Sequence, residues 1–383
     1  MDLSADYDTA VHREHRIVVV AGEPSGDRIA ARAVAAIAAE LPAASFIGIG
    51  GDAMEAAGVT LCAHVRSFCA LGIGDSLRSL PAWMNAYASL RLACRREPPC
   101  AALLVDCPEV NLRLGRAFRQ EGIPVLQYVA PKVWAWRRTR LRTLADRMDA
   151  LALVLPFEEE IFLPTGVPVQ FVGHPLVEDE PGQGAEARRA LHLTADVPVA
   201  ALLPGSRPSE VQRMGPLLID VGASLRRQGV VPVLAPAPGA ASPDLEETAR
   251  AMGCCVFRER ARDLLAAADV ALAASGTVTL EAALEETPMV ICYRVDALSA
   301  LIARRYLRVP FVGLPNWVAG RQVVPELLQE MATVPALLKE TRRLLQPEEA
   351  DAQRTALREV RRRLGPTGAS AGVARMLKKL AGW

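Results

Sequence analysis

Residues 270–288, VALAASGTVTLEAALEETP, contain the pattern that decides the fold: an apolar strand, a short turn and then a helix. The turn is formed by Ser275, Gly276 and Thr277, and the glycine predicts a tight reversal of the backbone. The first N–H groups of a helix have no partner within the helix, so they face the space above the strand end. The stretch therefore predicts a site for an anion such as a phosphate.

A second strand, turn and helix of the same kind lies at residues 199–211, VAALLPGSRPSEV. Gly205 and Ser206 form this turn, and Arg207 follows with a planar guanidinium whose donors match phosphate oxygens. Two such turns in one half of the chain indicate a site for a nucleotide diphosphate. Simple chain reversal also explains each turn taken alone, since many α/β proteins use such turns for that purpose.

The rest of the chain repeats this alternation, and its 383 residues suffice for two domains with separate cores. Apolar runs separated by amphipathic helices are typical of a parallel sheet covered on both faces. We expect strands of a first Rossmann-like domain at 17–21, 45–50, 101–106, 124–129, 150–155 and 169–173. A polar linker follows, and a second series is expected at 199–203, 231–236, 254–257, 269–274 and 289–293. Ligands of such sheets bind at the carboxyl ends of the strands, so the expected active site is a cleft between facing domains.

Composition excludes several classes of protein. Hydrophobic residues make up 51% of the chain, but charges and turn formers interrupt every long apolar run, so no transmembrane helix is expected. Residues 1–15 are polar and acidic, unlike a secretory signal, which favours a cytoplasmic protein. The cysteines form no C-x-x-C motif and predict buried thiols, while the histidines lack the spacing of a zinc site.

The distribution of charge is uneven although the net charge is only +1, a value that argues against general nucleic-acid binding. Arg137 to Arg147 form one basic cluster, and residues 361–363 with 378–379 form another near the C-terminus. A solvated helix face explains such clusters, and a patch for anionic lipid headgroups is the alternative.

Residues 48–53, GIGGDA, fit the dinucleotide-binding fingerprint G-x-G-x-x-A loosely. The match follows the second strand rather than the first, and no acidic residue ends a strand at the expected distance. NAD and FAD binding are therefore not expected.

Eight motifs, in order along residues 16–330, carry a resemblance to a known family. They are AGEPSGD at 21–27, GIGG at 48–51, PKVWAW at 131–136, LPFE at 155–158, VGHP at 172–175, LPGSRPSE at 203–210, ASGTVTLE at 274–281 and LPNWVAGR at 314–321. With these motifs the chain closely resembles the lipid-A-disaccharide synthase family. The resemblance implies an α/β protein of the GT-B glycosyltransferase fold, with two Rossmann-like parallel-sheet domains and C-terminal helices that cross back to the first domain.

The resemblance also implies a different role for each segment of the chain. We expect a polar tail at 1–15, an acceptor- and lipid-side domain at 16–175, a UDP-sugar domain at 176–355 and returning helices at 356–383. The implied reaction moves 2,3-diacylglucosamine from its UDP derivative to the 6-hydroxyl of 2,3-diacylglucosamine 1-phosphate (lipid X), with inversion and release of UDP. It implies no cofactor and no metal, and a peripheral enzyme on the inner face of the inner membrane. The oligomeric state stays open, with a homodimer through the C-terminal helices as one alternative.

Such a transfer needs a base for the acceptor proton and donors for the departing diphosphate. The resemblance assigns catalytic roles to Asp106, Arg207 and Asn316, with Asp106 as the expected base; a role in capping the following turn stays open. Further substrate contacts are implied for Glu23, Ser25, Gly26, Asp27, Ser206, Ser275, Gly276, Thr277, Glu281, Arg321 and Gln322. Helix capping by Ser25 and Asp27, and a salt bridge by Arg321, are the alternatives. Gln322 and Glu326 are expected on the helix after Asn316.

The segment 67–84, SFCALGIGDSLRSLPAWM, combines apolar and aromatic residues with Arg78. An amphipathic segment of this kind suits the headgroup region of a membrane and the admission of acyl chains. The candidate contacts are Phe68, Leu71, Ile73, Leu77, Leu80, Trp83 and Met84. Core packing of a helix that is buried on one side is the alternative.

Two other functions compete with this interpretation. One is a different GT-B enzyme for a UDP-sugar, such as a UDP-N-acetylglucosamine 2-epimerase or the peptidoglycan N-acetylglucosaminyltransferase, and the other is a catalytically silent protein that binds the membrane surface. The presence of Asp106 and Arg207 argues against the silent protein. Pro24 and Lys132 depart from the family pattern, but neither departure changes Asp106, Arg207 or Asn316.

Overall fold

The computed structural model describes residues 15–66, 80–131, 140–238, 240–296 and 310–383. The chain divides into two compact units. The first consists of the residues up to Pro175 together with Pro366–Trp383, and the second of Leu176–Gly365. Each unit has its own parallel sheet and its own apolar core.

The described part of the first unit contains seven parallel strands. They are β1 (Arg16–Ala21), β2 (Ser45–Gly50), β3 (Val59–His64), β4 (Ala101–Val105), β5 (Val125–Tyr128), β6 (Ala150–Leu153) and β7 (Val169–Phe171). Their order across the sheet is β3-β2-β1-β4-β5-β6-β7. β1 is buried apart from Arg16, and β4 and β5 are buried along their whole length. The continuous apolar runs of β1 and β4 predict this burial. β3 was not among the expected strands, because it is a half-buried edge strand with no continuous apolar run.

Helices cover this sheet, and one of them comes from the end of the chain. Their bounds are Pro24–Glu40, Asp52–Ala56, Leu80–Arg96, Pro108–Gln120, Arg140–Ala145, Glu158–Phe162 and Ala369–Ala381, with a 3₁₀ turn at Leu163–Thr165. The last helix packs against Pro24–Glu40. Its Gly372 allows a close approach to the end of the sheet, since a Cβ placed there would lie 3.0 Å from the Val172 Cβ.

The described part of the second unit contains six parallel strands. They are β8 (Val199–Leu203), β9 (Val231–Leu234), β10 (Cys255–Val256), β11 (Val270–Ala273), β12 (Met289–Tyr293) and β13 (Glu326–Leu328). Their order is β10-β9-β8-β11-β12-β13. The expectation of a helix at Glu326 was wrong, because this residue begins the edge strand β13 and pairs with β12.

The helices of the second unit run between these strands and continue after them. Their bounds are Gly184–Ala190, Pro208–Arg226, Pro243–Ala251, Ala261–Ala267, Val278–Leu284, Leu314–Ala319, Val334–Leu344 and Pro347–Arg363, with 3₁₀ turns at Pro175–Glu178 and Gln329–Met331.

The chain returns to the first unit at Pro366, ten residues after the expected position of 356. The helix Pro347–Arg363 stays in the second unit because its arginines bind the C-terminal carbonyls of other helices there. Arg361 donates to Leu284 O at 3.2 Å, and Arg363 donates to Ala319 O at 3.1 Å. Part of the C-terminal basic cluster is therefore structural.

The cysteines in the described residues are all free thiols. Cys94, Cys254 and Cys292 are buried, and burial raises the pKa of the Cys292 thiol to about 12. Cys69 lies outside the described residues. Within the described ranges, every helix is either too short or too polar to cross a membrane.

Candidate functional site

The first sheet places Asp106 at the point where its strand order changes direction. β1 and β4 are neighbours there, and open α/β sheets bind ligands above the carboxyl ends of such strands. Residues 22–26 follow β1 and Asp106 follows β4. The two segments lie together, since a Cβ placed on Gly26 would be 3.8 Å from the Asp106 Cβ.

The backbone around Asp106 is strained. Asp106 has a φ of 50° and Cys107 a φ of 39°, while Val129, which follows β5, has a φ of 62°. Left-handed backbone is uncommon for residues other than glycine and an outlier for a β-branched residue, at a cost of order 1–3 kcal/mol each. The Asp106 N–H donates to Tyr128 O at 3.0 Å, which ties this turn to β5. Strain of this kind clusters at functional sites, where the surrounding structure holds it in place.

The turn after β1 fits tightly against Cys107. A Cβ placed on Gly22 would lie 2.3 Å from the Cys107 Sγ and 3.2 Å from the Trp83 ring, so only glycine fits. Glu23 and Ser25 follow with exposed side chains, and Glu23 occupies the N-cap position without a capping bond from its side chain. These two residues are placed where a ligand could meet them.

Asp27 has a structural role in this arrangement. It is 6% exposed, and its Oδ1 accepts hydrogen bonds from Gly51 N at 2.7 Å and Met54 N at 3.1 Å. Its Oδ2 accepts from Ala53 N at 3.0 Å. Asp27 therefore caps the helix after β2, rather than its own helix, and this contact favours a structural role over the expected substrate contact. It also occupies N–H groups that a dinucleotide would need at GIGGDA.

The second sheet has its own change of direction between β8 and β11. The two turns that the sequence singled out, at 205–207 and 275–277, follow these neighbouring strands. The structure therefore brings both turns to one edge of one sheet, where a ligand of an open α/β sheet binds.

The turn after β8 is organised by Glu210, a residue to which the sequence analysis gave no role. Glu210 is 8% exposed, and its Oε2 accepts from Ser206 N at 3.0 Å and Arg207 N at 3.2 Å. Its Oε1 accepts from the Tyr293 hydroxyl at 2.8 Å. Burial, together with this bond, raises the pKa of Tyr293 to about 12. The glutamate in R-P-S-E, three residues after the N-cap, was the available signal.

Arg207 remains largely exposed although Glu210 binds its backbone N–H and also forms a salt bridge with its side chain. The guanidinium is 56% exposed, and its Nη1 lies 3.6 Å from the Glu210 Oε1. The Ser206 and Arg207 N–H groups, by contrast, bind a carboxylate of the protein itself. At this turn the candidate anion contact is the arginine side chain and not the backbone.

The turn after β11 runs from Ala273 to the helix that begins at Val278. Gly276 does not adopt a positive φ in it, so its conformation does not by itself require glycine. A Cβ placed on Gly276 would meet no atom of the described residues within 4 Å. The turn is held from one side, since Ser275 Oγ donates to Val312 O at 3.1 Å. Thr277 is exposed and Glu281 is half-buried on the short helix that follows.

Asn316 is fully buried, and the hydrogen bonds of its side-chain amide are all made to other residues of the protein. Its Oδ1 accepts from Val323 N at 2.7 Å and Val324 N at 2.9 Å, and its Nδ2 donates to Val324 O at 2.9 Å. The remaining donor goes to Glu326 Oε1 at 2.7 Å. An asparagine amide offers two donors and accepts at two lone pairs, so this set is complete.

Glu326 connects Asn316 to the turn after β11. Its Oε1 also accepts from Gly313 N at 2.9 Å, and its Oε2 accepts from Val312 N at 2.8 Å. The Val312 carbonyl in turn accepts the Ser275 hydroxyl. This role could not be read from local sequence, because the partners of Glu326 lie ten to fourteen residues away along the chain.

Arg321 and Gln322 are both exposed and lie in the loop before β13, not on a helix. Arg321 Nη2 lies 3.5 Å from the Glu359 Oε2, which is the salt bridge that the sequence analysis kept as an alternative.

Most of the expected acyl-binding segment lies outside the described residues, including Phe68, Leu71, Ile73 and Leu77. Leu80 begins the helix Leu80–Arg96. On this helix Trp83 packs against the core of the first unit, whereas Met84 is 63% exposed. The two alternatives for the segment thus apply to different residues: core packing to Trp83 and an outward surface to Met84.

Metal-ion ligands do not cluster in the described part of the chain: it contains no group of three or more His, Cys, Asp or Glu residues able to hold an ion.

Comparison with known proteins assigns the chain to a family. Residues 17–371 match the model of the family described as lipid-A-disaccharide synthetase. The chain belongs to this family. It is 40% identical over 375 residues to the lipid-A-disaccharide synthase of Myxococcus xanthus, covering 95% of this chain and 97% of that one. It is 38% identical over 369 residues to the enzyme of Syntrophus aciditrophicus, covering 94% and 96%.

Solved structures with little sequence likeness share the fold. The UDP-N-acetylglucosamine 2-epimerase of Neisseria meningitidis, solved with UDP-GlcNAc, aligns with a TM-score of 0.60 at 12% identity, over 95% of this chain and 100% of that one. MurG of Acinetobacter baumannii aligns with a TM-score of 0.58 at 14% identity, over 96% and 99%. The expected GT-B fold and the expected family of glycosyltransferases are both confirmed.

Proposed function

We propose that this chain transfers 2,3-diacylglucosamine from its UDP derivative to the 6-hydroxyl of 2,3-diacylglucosamine 1-phosphate, with inversion and release of UDP. The observation that carries the proposal is the family match over residues 17–371. The strained turn at Asp106 and the exposed guanidinium of Arg207 support it, because they provide a base and a phosphate ligand.

Asp106 is the proposed base. As the acceptor oxygen forms its bond to the anomeric carbon, the hydroxyl proton passes to the Asp106 carboxylate, and the bond from that carbon to the UDP oxygen breaks with its electron pair. Attack from the face opposite UDP gives the inverted β(1→6) linkage. A carboxylate on a rigid turn suits this role because general bases work only at hydrogen-bond distance from the proton they remove.

Arg207 and the turn at 275–277 are proposed to bind the departing diphosphate. The guanidinium forms charge-assisted hydrogen bonds with phosphate oxygens, which stabilise the charge that develops on UDP. Gly276 suits a close approach of phosphate to the backbone, because the space where its Cβ would lie is open and its φ does not demand glycine. Glu281 is proposed to accept hydrogen bonds from the ribose hydroxyls. Asn316 is proposed to act indirectly, by fixing the loop that supports Ser275.

The helix Leu80–Arg96 is the proposed start of a membrane-facing surface. Met84 and Leu92 are 63% and 53% exposed, and the helix ends in Arg95 and Arg96. Exposed apolar side chains near cations suit the headgroup region of an anionic membrane. We propose that the chain acts as a peripheral enzyme on the inner face of the inner membrane, in the cytoplasm, and that segment 67–84 admits the acyl chains.

A homodimer through the C-terminal helices also stays a prediction. In this structure the helix Ala369–Ala381 packs on the first unit of its own chain. Light scattering on the purified protein gives the number of copies in solution directly.

The test of the function is UDP release from UDP-2,3-diacylglucosamine and lipid X in detergent, with Asp106→Asn as the matched variant. We expect turnover in the wild type and a loss of at least a hundredfold in kcat for the variant, the range typical of a general base. Turnover of UDP-N-acetylglucosamine without lipid X would instead identify a different UDP-sugar enzyme. UDP binding without turnover of any of these compounds would identify a silent binding protein.

A further inference from the structure

Two buried side-chain amides lie beside the Asp106 turn, and the proposed reaction gives them no role. Gln127 stands in the middle of β5, and Asn111 lies in the first turn of the helix Pro108–Gln120. Both are 0% exposed, whereas the neighbouring positions of β5 are apolar or aromatic. Burial of a polar amide in the interior of a parallel sheet costs free energy unless hydrogen bonds compensate for the lost contact with water. The partners of these two amides therefore indicate their role.

The two amides converge on the backbone of the strained residues. Gln127 Nε2 lies 3.2 Å from Asp106 O, 3.2 Å from Tyr128 O and 3.1 Å from Val129 O. Asn111 Nδ2 donates to the same Asp106 carbonyl, and it lies 3.4 Å from Gln127 Oε1. The amides thus hold the carbonyl oxygens of Asp106 and Val129, two of the residues with positive φ.

These contacts explain how the strain is maintained. If Asp106 and Cys107 left the left-handed region, the peptide unit between them would rotate. The Asp106 carbonyl would then turn away from both amides. The carbonyl would then lose both of its side-chain donors, and the two amides would be left buried without it. The same peptide determines where the Asp106 Cβ lies relative to Gly26 in the neighbouring turn.

The Asn111 oxygen shows that the pair does not maximise stability. Asn111 Oδ1 is buried and has no hydrogen-bond partner among the described residues. A buried acceptor without a partner lowers the stability of the fold, and an apolar side chain of the same size would avoid that cost. This arrangement favours a role for the Asn111 amide nitrogen in holding the Asp106 carbonyl.

We propose that Gln127 and Asn111 are positioning residues that hold Asp106 in its left-handed conformation, so that its carboxylate meets the acceptor hydroxyl. The proposal rests on the proposed function in one respect, namely that Asp106 is the base. The geometric part, that the amides impose the conformation of residues 106, 107 and 129, stands without it.

The activity test uses Asn111→Leu and Gln127→Met, which remove the donors and place an apolar side chain of similar shape at each position. We expect kcat to fall at least tenfold, the KM for the UDP donor to stay within twofold, and the melting temperature of Asn111→Leu to equal or exceed that of the wild type. Asp149→Ala is the matched control, because the Asp149 carboxylate binds Val125 N at 2.9 Å, at the other end of the same strand. Equal losses of kcat in this control and in Gln127→Met would overturn the proposal.

A double-mutant cycle separates positioning from general stability. In the Asp106→Asn background, Gln127→Met and Asn111→Leu should cost less than twofold more in kcat, because the group through which they act is gone. Fully additive losses would show that the amides act elsewhere.

A crystal structure of Gln127→Met tests the geometric part with no substrate at all. We expect at least one of residues 106, 107 and 129 to leave the left-handed region. Unchanged φ angles would overturn the proposal even if the wild-type enzyme turned over both substrates. Absence of wild-type turnover would refute the proposed function alone, since this structural result would still decide the inference.

Discussion

Glu326→Gln tests whether the loop before β13 supports the proposed UDP site. The carboxylate accepts three hydrogen bonds: Oε1 from Gly313 N and Asn316 Nδ2, and Oε2 from Val312 N at 2.8 Å. A glutamine has only one side-chain oxygen. Its NH2 group must therefore face a backbone N–H group, and two donors cannot form a hydrogen bond with each other. The side chain also loses the charge that strengthens the remaining bonds.

The expected loss follows from this geometry. One charge-assisted bond contributes about 1.5–3 kcal/mol, and the half-buried Val312 N–H that is left without a partner adds to the cost, so we expect a total of about 2–4 kcal/mol. For a unit of this size that corresponds to a fall in Tm of roughly 5–15 °C. The Val312 carbonyl accepts the hydrogen bond of the Ser275 hydroxyl, so a displaced Val312 should also make the turn after β11 less ordered. We expect UDP affinity to fall by about tenfold, which is about 1.4 kcal/mol.

Calorimetric UDP titration and thermal melting of the full chain measure both effects. Glu348→Gln is the matched control, because it makes the same change of charge at an exposed position of the helix Pro347–Arg363. If Glu326→Gln binds UDP as tightly as the wild type and melts together with the control, the connection from Glu326 through Val312 to Ser275 is wrong.

Three further predictions concern the turns. Gly276→Ala should leave the melting temperature unchanged and raise the KM for the UDP donor at least tenfold, because the added Cβ enters open space rather than protein. The pKa of Tyr293 is raised to about 12 from its ordinary value near 10, so its contribution to stability is complete below pH 10 and is lost as the pH rises to 12. Tyr293→Phe should weaken this decline, as urea midpoints at pH 9 and pH 11 would reveal. Asp27→Ala should lower stability by about 2–4 kcal/mol in urea unfolding without raising that KM, because it leaves three backbone N–H groups unpaired.

The central strands could be predicted from the sequence because burial on both faces demands continuous apolar runs. β1, β4 and β8 are examples, and each is buried along nearly its whole length. β3 and β13 escaped prediction for the opposite reason. They lie at sheet edges and are half-buried, so their sequences carry no continuous apolar pattern and pairing with one neighbour determines their conformation.

The positions of the turns after β8 and β11 were also predictable, since each follows a recognisable strand. What the sequence could not show is the partner of each backbone N–H group. Asp27 reaches N–H groups more than twenty residues away, and Glu326 reaches Val312 and Gly313 across a loop. Such contacts depend on which strands become neighbours, and local pattern carries no information about that.

These partners change what each turn can offer to a ligand. In the turn after β8, the Glu210 carboxylate uses the N–H groups of Ser206 and Arg207, and a phosphate in the same place would meet a negative charge. In the turn after β11, the space in front of Gly276 is open. We therefore expect the diphosphate to approach the backbone at Gly276. In the turn after β8 it should contact only the guanidinium of Arg207. This asymmetry predicts that Arg207→Lys, which keeps the charge but not the planar fork, weakens UDP binding, whereas Ser206→Ala does not.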